Sequence, residues 1–199
     1  MTSRLAVLAS GRGSNLQAIV DHFDNLARER IAKVVLVASN RPDSQALVRA
    51  ATVSIDIAIF DPSDDGSQLL ALLRQFRIDL VVLAGYLKRI PSSVIREYAG
   101  RIINIHPALL PAFGGEGMYG ARVHKAVIAS GAKETGVTVH LVDDDYDHGP
   151  IVAQWRVPVE KSDTVESLAA RVLNVEHIVY PRTVEMVAML QQLESKTSA

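Results

Sequence analysis

The stretch that decides the fold reads Arg101-Ile102-Ile103-Asn104-Ile105-His106-Pro107-Ala108-Leu109-Leu110-Pro111. Its apolar run is typical of a buried strand, and the run ends in two polar side chains, Asn104 and His106. Side chains two positions apart on a strand point to the same face, so these two share a face. Pro107 has no backbone N–H to donate to a sheet, so the strand is expected to end at His106. The C-terminal ends of strands are where open α/β sheets bind ligands.

Short apolar runs alternate with segments of helical periodicity on both sides of this stretch. The other runs cover residues 5–9, 33–38, 55–60, 80–84, 136–142 and 151–159. Such alternation predicts an α/β fold with a mostly parallel, twisted sheet flanked by helices. Because no linker interrupts the chain, one domain spanning 1–199 is expected. It comprises a Rossmann-like half, residues 1 to about 100, and a C-terminal catalytic half, about 101–199, on the same sheet.

Composition limits the possible functions. The chain has 199 residues, of which 48% are hydrophobic and 22% charged, as in ordinary globular proteins. A net charge of -1 gives no electrostatic case for binding nucleic acid or an anionic membrane surface. The absence of cysteine excludes disulfides and thiolate catalysis. No apolar stretch reaches the roughly 20 residues that span a bilayer, and no signal peptide is recognisable, so a soluble cytoplasmic protein is expected.

The turn after the first apolar run is a candidate anion site. Gly11, Gly13 and Ser14 follow a predicted strand and precede a helix predicted from Leu16 to about Arg28. Backbone N–H groups at such a helix start favour an anion. Leu16 stands where a dinucleotide fingerprint needs a third glycine, so NAD is not favoured. Two interpretations stay open here: a monophosphate site, or a tight turn that binds nothing.

Asn104 and His106 suit one chemical task in particular. An amide and an imidazole can together donate hydrogen bonds to the oxyanion that forms during acyl transfer. The chain contains no Gly-x-Ser-x-Gly nucleophile motif. The expected nucleophile therefore belongs to a substrate, for example an amine, which must lose a proton to a nearby acceptor. The alternative is a pair of polar residues that cap a turn at the end of the strand.

The loop between the last two predicted strands offers that acceptor. It reads Asp143-Asp144-Asp145-Tyr146-Asp147-His148-Gly149-Pro150 and lacks the spacing of a calcium loop. Most acidic runs are solvated turns, but Asp147 precedes a Gly-Pro pair that constrains the backbone. A buried Asp147 near His106 is expected to raise the pKa of the imidazole. His140 is expected to support this set by hydrogen bonding. A structural role is expected for the remaining histidines within elements, His22, His124 and His177, although His124 follows a glycine-rich loop.

Three segments together resemble the folate-dependent formyltransferase superfamily. They are residues 8–16 (LASGRGSNL), 104–111 (NIHPALLP), and 139–142 with 147–150 (VHLV and DHGP). The Asn-x-His-Pro stretch and the later Asp-x-Gly-Pro are typical of the superfamily. The Ser-Gly-x-Gly-Ser-Asn turn narrows the resemblance to its glycinamide ribonucleotide formyltransferase branch. The resemblance implies formyl transfer from 10-formyltetrahydrofolate to the amine of glycinamide ribonucleotide in de novo purine biosynthesis, with no metal.

The resemblance also implies roles for individual residues. The implied catalytic set is Asn104, His106 and Asp147, with His140 in support. The phosphate end of the ribonucleotide is expected at Gly11, Arg12, Gly13, Ser14, Asn15 and Glu176. The folate is expected at Tyr86, Leu87, Lys88, Arg89, Ile90, Asn104, Leu141, Val142, Asp143 and Asp147. The family usually has arginine where Lys88 stands, so the cation that meets the folate is either Lys88 or Arg89. The loop 113–120 is expected to border the substrate amine.

The expected partners are two small molecules, glycinamide ribonucleotide and 10-formyltetrahydrofolate, with no nucleic acid and no membrane. The chain is expected to be a monomer or homodimer.

Formyltetrahydrofolate deformylase, in which water replaces the amine, is the nearest alternative. It usually carries an extra N-terminal domain, for which a first strand beginning at Leu5 is expected to leave no room. Methionyl-tRNA formyltransferase usually adds a C-terminal tRNA-binding domain. Outside the enzymes, a non-catalytic nucleotide-binding module is the alternative, and an intact Asn104, His106 and Asp147 argue against it.

Overall fold

One sheet of seven strands forms the centre of the molecule. The computed structural model describes residues 2–26 and 30–197. The strands are β1 (Ser3–Leu8), β2 (Ala32–Ser39), β3 (Asp56–Ile59), β4 (Leu80–Leu83), β5 (Ile102–His106), β6 (Glu134–Leu141) and β7 (Ile151–Pro158). The helices are α1 (Ser14–Asn25), α2 (Gln45–Thr52), α3 (Ser67–Gln75), α4 (Ser92–Glu97), α5 (Ala121–Ser130) and α6 (Val165–Thr197).

The strand order across the sheet is β3-β2-β1-β4-β5-β6-β7. Strands β1 to β5 pair in parallel, whereas β6 pairs antiparallel with β5 and β7 pairs antiparallel with β6. The predicted mostly parallel α/β sheet, with both halves of the chain on it, is therefore confirmed. The chain leaves β1 toward one edge and returns to β4 on its other side, which makes a topological switch point between these two strands.

The register of β5 against β6 positions the polar side chains of the central stretch. Asn104 lies opposite His140, and His106 lies opposite Thr138. Residues directly opposite each other on paired strands share a face of the sheet. The amide of Asn104 and the imidazole of His140 are therefore neighbours by register alone. Strand β5 ends at His106, as Pro107 predicts.

Two hydrophobic cores cover the two faces of the sheet. Apolar residues of α1, α5 and α6 pack in one core against β1, β4 and β5, with Leu16, Val123 and Val172 among them. Apolar residues of α3 and α4, together with Tyr86 and Ile90, pack in the other core. Because successive strand residues alternate between faces, each buried strand contributes to both cores.

Two helices show details that a local pattern does not give. The residue before α1 is Gly13, with φ 72, and α1 has no side-chain cap. Arg28, the predicted end of this helix, lies outside the described residues. Helix α6 contains Pro181 and continues through it, so no new helix starts at this proline. Among the described residues, no helix combines the length and apolarity needed to cross a membrane.

Candidate functional site

A cavity of about 600 Å³ lies at the carboxyl ends of the central strands. The ends of β1 and β4 are joined there, because the Ser10 N–H donates to the Gly85 carbonyl at 3.1 Å. The Ser10 hydroxyl also accepts a hydrogen bond from the Leu87 N–H at 3.3 Å. The cavity thus occupies the switch point at which open α/β sheets bind ligands, and its volume suits a small molecule.

Most of the residues predicted for the site line this cavity. Those on its wall are Asn15, Tyr86, Leu87, Lys88, Arg89, Ile90, Asn104, His106, His140, Val142, Asp143, Asp147 and Glu176. Residues from distant parts of the chain therefore meet around one space. The remaining predicted residues, which lie outside the lining, are Gly11, Arg12, Gly13, Ser14 and Leu141.

The turn at residues 11–14 is built by packing against α2. Gly13 has φ 72, and a Cβ added there would lie 2.8 Å from Ala46 Cα, so a glycine is required by both conformation and space. The Gly11 carbonyl accepts hydrogen bonds from the Ser44 hydroxyl and the Ala46 N–H. These contacts explain Gly13 without a ligand, whereas Gly11 has room for a side chain. The turn still borders the cavity through the next residue, Asn15.

Asn15 and Glu176 form one wall of the cavity. The Asn15 amide donates to Glu176 Oε2 at 2.6 Å, which joins α1 to α6. Burial raises the pKa of Glu176, and the hydrogen bond from Asn15 opposes this shift only in part. Asn15 Oδ1 is buried and has no hydrogen-bond partner among the described residues. This wall therefore carries polar groups whose hydrogen bonding within the chain is incomplete.

Asp147 is the centre of the polar cluster. Its Oδ1 accepts a hydrogen bond from the Asn104 amide at 3.3 Å and lies 3.5 Å from His140 Nε2. Its Oδ2 lies 3.3 Å from His106 Nδ1 and accepts from the Gly115 N–H at 3.1 Å. Burial acts to raise the pKa of Asp147, but His140, the charge on His106 and the Gly115 N–H together hold it below its usual range. The side chain of Asp147 is therefore in its ionised, negatively charged form.

The ring of His106 is held from both sides. Its Nε2 lies 2.8 Å from the Phe113 carbonyl, which can only accept, so Nε2 carries a proton. Its Nδ1 faces Asp147 Oδ2, and two unprotonated acceptors at 3.3 Å would repel each other, so a proton lies between them. The imidazole thus has a fixed orientation, with Nδ1 as its titrating atom.

The expected rise in the pKa of His106 is wrong in its net direction. The side chain is buried, and burial lowers the pKa by more than the Asp147 carboxylate and the Phe113 carbonyl raise it. The sequence indicates the charged neighbour but not the degree of burial, which is set by the surrounding loops. His106 Nδ1 and Asp147 Oδ2 therefore share one proton at a position that is buried from water.

His140 contacts both Asn104 and Asp147. Its Nδ1 lies 2.8 Å from the Leu141 carbonyl, which can only accept, so Nδ1 carries a proton. Its Nε2 lies 3.1 Å from the Asn104 amide nitrogen and 3.5 Å from Asp147 Oδ1. The Asn104 amide is thus held between His140 and Asp147, which fixes its orientation.

The backbone after Asp147 allows this arrangement only because residue 149 is glycine. A Cβ at Gly149 would lie 1.9 Å from the Leu141 carbonyl oxygen, at the end of β6. Asp147 itself has φ 55, a conformation that side-chain-bearing residues adopt less often than glycine. The close approach of Gly149 to β6 thus helps to place Asp147 over the cavity.

Gly149→Ala is expected to destabilise the fold by about 1–3 kcal/mol, as overpacking of a tight contact does. The added methyl group must displace the Leu141 backbone, so the cost is steric. Urea unfolding followed by circular dichroism measures the change. Gly11→Ala is the matched control, because a Cβ at Gly11 meets nothing within 4 Å. Equal stability of the two variants would contradict the steric argument.

The acidic loop is anchored to the segment after β4. The Arg89 guanidinium donates to the Asp144 carbonyl, and the Ser92 hydroxyl donates to Asp144 Oδ1 at 2.5 Å. Lys88 also lines the cavity, and no contact of this kind is recorded for it among the described residues. Arg89 therefore holds the loop, which leaves Lys88 as the cation more available to a ligand. No group of side chains suited to a metal ion occurs in the described ranges.

Sequence reasoning missed two parts of the site. The Phe113 carbonyl and the Gly115 N–H hold His106 and Asp147, and both are backbone atoms, so side-chain identity gives no signal for them. The expectation for the loop 113–120 concerns the substrate amine and includes neither of these hydrogen bonds. Tyr146 of the acidic loop also lines the cavity and is not among the predicted site residues. The one available signal was the run of glycines itself, which often indicates backbone held close to functional groups.

The fold and the site define an α/β protein with a small-molecule cavity at the switch point and a buried Asn–His–Asp cluster on its wall. Residues 3–184 match the family model described as formyl transferase. The chain belongs to this formyl transferase family.

Individual relatives agree with that assignment. The chain is 46% identical over 188 residues to the chloroplastic phosphoribosylglycinamide formyltransferase of Vigna unguiculata, covering 92% of this chain and 60% of the relative. It therefore spans less than two thirds of that protein. The glycinamide ribonucleotide transformylase 1 structure from Geobacillus kaustophilus matches with a TM-score of 0.86 at 38% identity, over 94% of this chain and 100% of that one. A formyltetrahydrofolate deformylase structure from Pseudomonas syringae matches with a TM-score of 0.82 at 28% identity, over 95% and 62%.

Proposed function

We propose that this protein transfers the formyl group of 10-formyltetrahydrofolate to the amine of glycinamide ribonucleotide, a step of de novo purine biosynthesis. The observation that carries the proposal is the contact of Asn104, His106 and His140 with Asp147, all within 3.5 Å, on the wall of a cavity of about 600 Å³. Relatives named for this activity support the choice of substrates.

The Asn104 amide and the Nδ1 side of His106 are the groups that meet the developing oxyanion. The amine nitrogen bonds to the formyl carbon, and the carbonyl electron pair moves onto the formyl oxygen. The Asn104 amide and the Nδ1 proton that His106 shares with Asp147 supply hydrogen bonds to that oxygen. Both groups contact Asp147 in the structure without ligand, so the oxyanion competes with a carboxylate for the same donors. Their positions are thus set before the substrates bind.

Asp147 receives the proton that the amine loses. Its carboxylate lies within 3.5 Å of two imidazoles and one amide, so it is buried but remains ionised. The attacking amine becomes positively charged, and transfer of its proton to Asp147, directly or through water, disfavours its re-expulsion. Asp147 then returns a proton, directly or through water, to the tetrahydrofolate nitrogen. The oxyanion electron pair re-forms the carbonyl as the bond from the formyl carbon to that nitrogen breaks.

The two substrates are assigned to opposite walls of the cavity. Asn15 and Glu176 belong to helices that pack on one face of the sheet, and they form the ribonucleotide wall together with the adjacent turn at 11–14. Tyr86 and Ile90 pack on the other face and form the folate wall with Val142 and Asp143. Asn104 and His106 lie between these walls, at the end of β5. The formyl carbon and the amine therefore meet beside Asp147.

Purified protein is expected to form formylglycinamide ribonucleotide when both substrates are supplied. The rise in tetrahydrofolate absorbance, with product identified by mass spectrometry, measures the reaction. Release of formate without the ribonucleotide would instead identify a deformylase, the alternative function, in which water is the nucleophile. Absence of both reactions would favour a non-catalytic module. The cytoplasmic location and the monomeric or homodimeric state stay predictions from the sequence.

A further inference from the structure

His124 is a buried imidazole that the proposed reaction does not use. It lies in α5, is 5% exposed, and lines the cavity. Its Nδ1 is buried and has no hydrogen-bond partner among the described residues, and no hydrogen bond holds its Nε2 there either. Buried polar groups are normally hydrogen-bonded, so an imidazole with two free nitrogens is unusual. Because the ring lines the cavity, Nε2, the nitrogen that is not fully buried, is the one that a ligand can reach.

The other histidines of the cavity are already occupied. His106 is held by Asp147 and the Phe113 carbonyl, and His140 is held by Asn104 and the Leu141 carbonyl. No hydrogen bond of His124 is recorded within residues 2–26 and 30–197. His124 is therefore the cavity imidazole whose hydrogen-bonding capacity is still available to a ligand.

The position of His124 in the fold selects the substrate. Its neighbours Val123 and Val127 pack in the core formed with α1 and α6, the helices that carry Asn15 and Glu176. Tyr86 and Ile90, on the folate wall, belong to the core on the opposite face of the sheet. His124 thus stands on the ribonucleotide wall.

The charge state of His124 suits a neutral contact. Burial lowers the pKa of its imidazole, and the nearby charge of His106 lowers it further. The ring is consequently neutral near pH 7 and offers one donor and one acceptor. A neutral ring can hydrogen-bond the uncharged glycinamide portion, or the ribose hydroxyls, without binding the phosphate as a counter-ion.

We propose that His124 is a substrate-contacting residue that hydrogen-bonds the ribonucleotide through its imidazole, on the wall formed with Asn15 and Glu176. The inference rests on the proposed formyl transfer to glycinamide ribonucleotide. It makes α5 a binding element as well as a structural one. The loop 113–120, which holds His106 and Asp147 through its backbone, also positions His124, because it leads directly into α5.

His124→Phe removes both ring nitrogens and keeps an aromatic side chain of similar size. The dissociation constant for glycinamide ribonucleotide, measured by isothermal titration calorimetry, is expected to rise about tenfold. The KM for 10-formyltetrahydrofolate is expected to stay unchanged. The thermal midpoint is expected to stay equal or to rise, because the unpartnered Nδ1 is gone. His124→Asn, which keeps a donor and an acceptor, is expected to restore part of the affinity.

His177→Phe is the matched control. His177 also has a buried ring nitrogen without a partner among the described residues, and it does not line the cavity. This variant is expected to leave both substrates' affinities unchanged. Wild-type affinity for the ribonucleotide in folded His124→Phe would overturn the inference, as would a change confined to the folate. If His124→Phe does not fold, the dissociation constant of His124→Asn for glycinamide ribonucleotide decides. This variant is expected to bind the ribonucleotide more weakly than the wild type, but by less than tenfold, and wild-type affinity would overturn the inference. Failure of the proposed function would be recognised separately from failure of this inference. In that case the wild-type protein itself would form no formylated ribonucleotide.

Discussion

Asn104→Ala is expected to lower kcat for formyl transfer by about 100-fold or more, as loss of one oxyanion donor does. The amide is held by His140 and Asp147 before any substrate binds, so its donor is already in position. Alanine leaves the formyl oxygen with His106 alone. The loss falls on the transition state, because the neutral formyl group accepts a weaker hydrogen bond than the oxyanion does. The KM values are therefore expected to change much less than kcat.

Steady-state kinetics with both substrates varied measures this effect. Asn174→Ala is the matched control, because Asn174 is exposed on α6 and does not line the cavity. A thermal melt of both variants checks that Asn104→Ala remains folded. Near-normal turnover by a folded Asn104→Ala protein would rule out its role as an oxyanion donor. The amide would then act only as a partner that orients Asp147.

Asp147→Asn is expected to lower kcat by about 100-fold or more, because general-base assistance and electrostatic stabilisation are both lost. The amide keeps the shape of the carboxylate and can still accept from the Gly115 N–H. It cannot take up the amine proton, and it no longer stabilises a positive charge on His106. Substrate binding is expected to be largely retained, so turnover falls far more than affinity.

Turnover and ribonucleotide affinity measured on the same preparation separate these effects. Asp56→Asn removes one negative charge at an exposed position of β3, remote from the cavity, and controls for net charge. The opposite pattern, with binding lost and turnover per bound substrate kept, would assign Asp147 a structural role. Retention of full activity would remove it from the mechanism. Both outcomes can be interpreted, because a thermal melt shows whether the variant is folded.

Much of the fold follows from local patterns of the sequence. Apolar runs such as 80–84 have the length and composition of strands buried on both faces, and the structure has β4 there. Pro107 ends β5 at His106 because a proline cannot extend the ladder. A local preference does not decide every element, since Pro181 starts no new helix and lies within α6. At the start of α1, the close contact with α2 requires Gly13, and no side chain caps the helix.

The candidate site divides in the same way. Asn104, His106, Asp147 and His140 could be predicted because their side chains carry the chemistry and their spacing is local or follows a constrained turn. The hydrogen bonds from the backbone of residues 113–115 could not be predicted, because every residue has a carbonyl and nearly every residue has an N–H. The hydrogen bond from Arg89 to the Asp144 carbonyl also joins segments whose separation depends on the whole fold.

The sequence by itself determined the α/β class, the polar pair at the end of β5 and the carboxylate in the acidic loop, because periodicity and residue chemistry are local properties. Only the tertiary structure decided that Phe113 orients His106, and that burial outweighs Asp147 in setting the pKa of His106. Only it placed His124 on the wall of the cavity that Asn15 and Glu176 also line. Desolvation and distance depend on which segments surround a group, and those segments are far apart along the chain.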